Sequence, residues 1–140
     1  MNHINSADGN VIVEFIGVTV SLLLPLAVIA NASILVANAY LATEISARTA
    51  ARAFVISNND ASGTRAVSSA AGLAGQDFDS RNPGITTKIV CTKNPCLSPG
   101  GFVTVKATKD VKLNLPRIFG AHNIRVASQH TSVVDELRAP

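Results

Sequence analysis

The chain has 140 residues, a formal net charge of +3, 47% hydrophobic but only 4% aromatic residues, two cysteines and no tryptophan. That length holds one small domain plus an anchor. All twelve Lys and Arg lie at or after Arg48, against six acidic residues over the same span, so that part is near +6. A basic surface suits acidic cell-surface polymers or plain solubility. The positive charges stand singly and without interleaved aromatics, so nucleic acid is not the expected partner.

Met1 to Asp8 is short, polar and free of Lys and Arg. Gly9 and Asn10 follow, then Val11-Ile12-Val13, Glu14 and a long apolar run. From Phe15 to Val36 there is no charge, only Thr19, Ser21, Asn31 and Ser33 among the polar residues. About 20 such residues cross the hydrocarbon core as a helix. The carboxylate at the lip of the run is the oddity, because an ionisable group at that depth costs about 2.5–3.5 kcal/mol and needs a partner. Proteolysis between Gly9 and Asn10 supplies one: an α-amine four residues before Glu14, one helical turn away on the same face. Glu14 then also sits in the first turn, where the macrodipole favours negative charge. Glycine before the cut lets a protease approach the backbone closely.

Gly9-Asn10-Val11-Ile12-Val13-Glu14-Phe15 resembles the processing site of type IV prepilins, cut after glycine with glutamate fifth in the mature chain. The longer pattern runs from Val13-Glu14-Phe15 through Leu22-Leu23-Leu24-Pro25-Leu26 to Ala47-Arg48-Thr49-Ala50-Ala51-Arg52-Ala53. It is similar to the TadE-like minor pilins of tight-adherence (Tad/Flp) pili, over about 45 residues. The resemblance implies cleavage by an aspartic prepilin peptidase and a cytoplasmic N-terminus. It also implies a single-pass helix in the cell membrane, with the C-terminal domain displayed outside the cytoplasm. The implied partners are membrane lipid, the peptidase, other pilin-like subunits and the pilus assembly machinery. The leader departs from the pattern, since prepilin leaders usually carry basic residues. The positive-inside rule alone points the other way, because Arg48 and Arg52 follow the helix. Two other readings stay open: signal-peptidase cleavage at Ala30-Asn31-Ala32 or Ala37-Asn38-Ala39, and an uncut anchor.

Pro25 inside the run removes a backbone donor and predicts a kink, tolerated in a membrane helix when neighbours satisfy the freed carbonyl. Gly17/Ser21, Ala27/Asn31 and Ser33/Ala37 recur four apart, which permits close helix approach, with Asn31 and Asn38 able to bond laterally. Tyr40 suits the interfacial belt. Beyond it the helix is expected to continue, with Glu44 and Arg48 forming an i,i+4 pair. Arg48 and Arg52 form a doublet within the family pattern. Pro25, Asn31, Arg48 and Arg52 are the residues assigned to an assembly face, against the plainer reading of a solvated surface. Asn58-Asn59-Asp60 signals a break. Ala61 to Ala74 reads as a second helical segment, followed by a loop from Gly75 to Gly84 containing Asn82-Pro83-Gly84.

After Gly84 the period becomes alternating. Ile85, Thr87, Ile89 and Cys91 share one face, with Thr86 and Lys88 on the other. Val103, Val105 and Ala107 alternate with Thr104, Lys106 and Thr108, and Val111, Leu113 and Leu115 hold that phase to Pro116. A last strand spans Ile124 to about Val134, with Ile124, Val126 and Val134 on one face. Such runs predict antiparallel strands with one apolar face, which the helix should cover.

Cys91 and Cys96 have two readings. As metal ligands they are incomplete, because zinc takes four and His122 and His130 are not at finger spacing. As a disulfide they clip a short loop, which suits an oxidising compartment. No metal and no cofactor are expected. No catalytic set emerges either: His3, His122 and His130 are isolated, no serine lies in Gly-x-Ser-x-Gly, and Gly100-Gly101 reads as a turn.

The expected fold is α+β: a long N-terminal, partly transmembrane helix packed on a three- to four-stranded antiparallel sheet. The expected divisions are a leader (1–9), a transmembrane and assembly helix (10–40), its helical continuation (41–75) and the sheet domain (76–140). The expected function is that of a minor pilin or pseudopilin. The competing class is a membrane-anchored or secreted binding module that does not depend on Glu14.

Overall fold

The computed structural model describes residues 8–78, 84–113, 120 and 122–137, with only the backbone of 8–10 and 122. Helix α1 spans Asp8–Val55 and α2 spans Asp60–Phe78. Strands β1 (Thr86–Cys91), β2 (Phe102–Leu113) and β3 (His122–Val133) form one antiparallel sheet in the order β1-β2-β3. The fold is α+β, as expected. The chain divides into two compact units, Met1–Ile34 and Leu35–Pro140. The leader before Asp8, the Asn82-Pro83 part of the expected loop, and Leu115-Pro116 lie outside the described residues.

In the first unit, α1 is helical through Pro25 and exposes its large apolar side chains, including Phe15, Leu22, Leu24 and Ile29. Nothing in a soluble core covers them. The helix is long and apolar enough to cross a membrane by length and composition, and its most apolar window is wholly unburied.

In the second unit the same helix changes character. Ala39, Ala42, Thr43, Ser46, Ala47, Ala50, Ala51 and Phe54 are buried. Their spacing alternates between three and one, which keeps them on a single stripe of a 3.6-residue helix. All but Phe54 are small, so α1 can lie close to the sheet. Thr43 Oγ1 meets Ser128 Oγ at 3.2 Å, which places this stripe over the inner face of β3. The core joins Ala50, Ala51 and Phe54 of α1 to Val67 of α2, then to Leu97, Val103, Val105 and Val134. The helix therefore does cover the apolar sheet face.

One buried group on this stripe lacks a partner. Ser46 Oγ has no hydrogen-bond partner among the described residues, unlike Thr43, which also donates to Tyr40 O at 2.9 Å. Ser46→Ala removes an orphaned hydroxyl and adds the best helix former, so it should stabilise the unit by about 1 kcal/mol. Calorimetry of the full chain in micelles checks this; a lower Tm for Ser46→Ala would mean the hydroxyl is bonded.

The break between the helices is a built cap. Asn59 Oδ1 accepts from Ser62 N at 2.8 Å while Asn59 N donates to Ser62 Oγ at 3.2 Å, the reciprocal arrangement of a capping box. Helix α2 runs past the expected end at Ala74, through Gly75 to Phe78, with Ala74 and Gly75 both buried. Burial of that turn outweighs the low helix propensity of glycine.

In the sheet, the alternation holds. Thr87, Ile89 and Cys91 are half-buried while Thr86, Lys88 and Val90 are exposed. The expected phase of β2 runs unbroken through Val103, Val105, Ala107, Val111 and Leu113, but it also includes Lys109, only 3% exposed. A lysine is accommodated on such a face through its long aliphatic stem. On β3 Val126 is buried, as is Val134 just past its end, whereas Ile124 remains 38% exposed.

Candidate functional site

Three groups of residues carry the candidate chemistry: two lie along α1 and the third is the cysteine pair after β1. Gly9 and Asn10 lie in the first turn of α1, and Glu14 follows one turn on with its side chain exposed. The sequence offers Glu14 no Lys or Arg before Arg48.

Of the residues assigned to an assembly face, Pro25 and Asn31 are exposed in the first unit. In the second unit Arg48 and Arg52 are exposed on the side of α1 away from the sheet. Arg48 Nη2 donates to Glu44 Oε1 at 3.2 Å, the expected i,i+4 pair, worth only tenths of a kcal/mol at so exposed a site. Leu41 and Ile45 stay exposed on this same side, at 46% and 40%. The structure thus groups Arg48 and Arg52 with an apolar strip of Leu41 and Ile45. Their helical spacing from the buried Ala stripe is the signal that finds them.

Cys91 and Cys96 form a disulfide, with sulfurs 2.06 Å apart, between the end of β1 and the following turn. The metal reading of the pair does not apply. The loop it closes is held from outside by Asp60, in the first turn of α2. Asp60 Oδ2 accepts from Cys96 N at 3.0 Å, and Oδ1 accepts from Leu97 N at 3.3 Å. In the sequence Asp60 is legible only as part of the Asn58-Asn59-Asp60 break. The loop ends at Gly100, whose φ of +65° favours glycine, and at Gly101, where a Cβ would lie 2.9 Å from Ser98 O. Gly100 N donates to Val134 O and Val134 N donates to Gly101 O, so the C-terminal end of β3 is tied to the same turn.

The outer sheet face carries a further group. Asp110 and Arg125 face each other across β2 and β3 at 2.8 Å and, with Lys112 and Asn123, line an open hollow of about 410 Å³. The Arg125 hydrogen bond, and then its charge, hold the Asp110 carboxyl below the ordinary carboxylate range, and Asp110 raises Arg125 in return. A depressed carboxylate contributes stability above its unfolded pKa and loses it as pH falls through the folded one. Both groups are solvent-exposed, so the contribution is small. His130 lies half-buried on the inner face of β3. Among the described residues no group of His, Cys, Asp and Glu is arranged to hold a metal ion.

No family model, curated protein or solved structure matches the chain. The fold itself defines a class: an α+β unit built on the C-terminal half of a helix whose N-terminal half is apolar, exposed and of membrane-spanning length. A single-pass membrane anchor is consistent with that helix.

Proposed function

We propose that the chain is a minor pilin or pseudopilin of the tight-adherence (TadE-like) type, processed after Gly9 and assembled through α1. The observation that carries this reading is the placement of Glu14. It is an exposed carboxylate near the start of an otherwise apolar exposed helix, one turn after the Gly9-Asn10 bond. A generic anchor has no use for a carboxylate there. Cleavage creates an α-amine at Asn10 that pairs with Glu14 of its own chain or of a neighbour's. The apolar helices then bundle, and the sheet unit is displayed outward. Among the described residues, one helix of spanning length with the sheet packed on its distal half supports this arrangement, as does a disulfide suited to an oxidising exterior.

The test is the N-terminus and intact mass of the membrane-extracted chain, with and without prepilin peptidase. The expected mature chain starts at Asn10 and is lost in the peptidase mutant and in Gly9→Ala. Glu14→Gln should still be cut but should be depleted from sheared fibres. An N-terminus at Met1 would leave a plain anchor. One at Tyr40 would mean a secreted domain.

A further inference from the structure

The outer face of the sheet carries a charge arrangement that stability does not explain. Lys88 of β1 and Lys106 of β2 are directly opposite in the register, and both are exposed. Like charges in that relation destabilise a sheet. Neither lysine has a hydrogen bond or ion pair among the described residues. On this face of the described strands the one carboxylate is Asp110, four residues along β2 from Lys106 and already engaged by Arg125 at 2.8 Å. Farther along the same strand stands Lys112, six residues or about 20 Å from Lys106. The face is therefore net cationic from Lys88 and Lys106 to Lys112, uncharged toward Phe102, Val90 and Val133, and its like-charged pair has no counterion among the described residues.

The surroundings of that pair narrow the counterion. Gln129 lies opposite Lys106 on β3, and Thr104, Thr108 and Thr131 surround it on the same face. Thr104 and Thr131 already bond each other at 2.7 Å, which fixes their hydroxyls in place. Ammonium groups flanked by hydroxyl and amide groups match a sugar polymer that carries a carboxylate on each ring. Nucleic acid fits less well. Single strands are held by stacking on successive aromatics, whereas the described strands bring one aromatic to this face, Phe102, four residues along β2 from Lys106. Reading a duplex takes an element that enters a groove, whereas this face is a flat sheet.

We infer that the outer sheet face, centred on Lys88 and Lys106, binds an acidic, uronate-bearing polysaccharide. The inference does not depend on cleavage after Gly9 or on assembly into a fibre.

The experiment uses the full chain in nanodiscs of zwitterionic lipid and an end-labelled polygalacturonate oligomer, followed by fluorescence anisotropy across a salt series. Binding is expected to weaken with salt. The double substitution Lys88→Gln with Lys106→Gln should reduce affinity at least about tenfold and flatten the salt dependence, because each neutralised charge releases fewer counterions. Arg65→Gln, an exposed charge on α2, should change affinity less than about twofold on the same reasoning. Lys88→Glu guards against misfolding: it replaces the repulsion with a cross-strand ion pair, so it should melt no lower than the parent and still lose binding. Equal loss in Arg65→Gln, or undiminished binding in the double variant, overturns the assignment. So does binding of single-stranded DNA of matched charge as tight as that of polygalacturonate, since the face would then recognise charge alone.

Discussion

Phe54→Ala is expected to destabilise the unit from Leu35 to Pro140 by about 3–5 kcal/mol, the usual cost of deleting a buried aromatic. The stripe that α1 presents to the sheet is otherwise made of Ala, Thr and Ser, so Phe54, at 1% exposure, is its one large side chain. It joins α1, α2 and the sheet in a single core with Val67, Leu97, Val103, Val105 and Val134. Truncation leaves a hole that small neighbours on a rigid helix cannot close. Across the junction, a Cβ on Gly63 would lie 2.8 Å from Phe54 Cδ2 and 2.9 Å from Cε2. Gly63 is therefore the space the ring occupies, and Gly63→Ala should cost about 1–3 kcal/mol by overpacking despite the gain in helix propensity. The two effects share one cavity and will not add. In a Phe54→Leu background, Gly63→Ala should become cheaper or favourable. Calorimetry of the full chain in micelles reads all four corners of the cycle. A loss below about 1 kcal/mol for Phe54→Ala would show that the two helices and the sheet are not one cooperative core.

The parts of this fold that sequence periodicity reveals are those where hydropathy contrasts between neighbours. The run from Phe15 to Val36 is uncharged and mostly apolar against the charged chain that follows, and the strands alternate Val, Ile and Ala against Thr and Lys, so their faces are readable position by position. Lys109 is the exception: its charge masks a stem that lies in phase between Ala107 and Val111. The contact stripe on α1 left no such signal. Alanine and serine are nearly neutral in hydropathy, and what selects Ala39, Ala42, Ala47, Ala50 and Ala51 is size, set by the closeness of the sheet. Asp60 illustrates a different limit. Asn58-Asn59-Asp60 was legible as a break because short polar side chains bond their own backbone, yet the partners of Asp60 lie 36 and 37 residues away. The strip of Leu41 and Ile45 beside Arg48 and Arg52 emerges only once the opposite side of the helix is known to be buried. The chemistry proposed for Gly9 and Glu14 involves a second protein, and so is written in local sequence rather than in the packing.

Asp60→Ala is expected to cost about 2–3 kcal/mol, because one carboxylate accepts two backbone N–H groups and bonds to charged acceptors are the strong ones. The carboxylate also sits in the first turn of α2, where it complements the helix dipole. Its removal leaves the amides of Cys96 and Leu97 unpaired at a part-buried position. Asp60→Asn should fare little better, since the amide presents one acceptor oxygen and turns a donor toward the second N–H. The disulfide restrains the same turn by a different route. So short a loop gains only about 2 kcal/mol from closure, and much of that gain is realised through the geometry that lets Asp60 reach both amides. Replacing both cysteines with alanine should therefore cost less in the Asp60→Ala chain than in the parent. The discriminating measurement is amide exchange at Cys96 and Leu97. In Asp60→Ala those two amides should lose protection selectively while the β2–β3 ladder keeps its own. Unchanged protection there would mean that the disulfide and the Gly100–Val134 bonds hold the turn without α2. In that case the helix and the loop would be neighbours only, and Asp60 would serve the helix dipole alone.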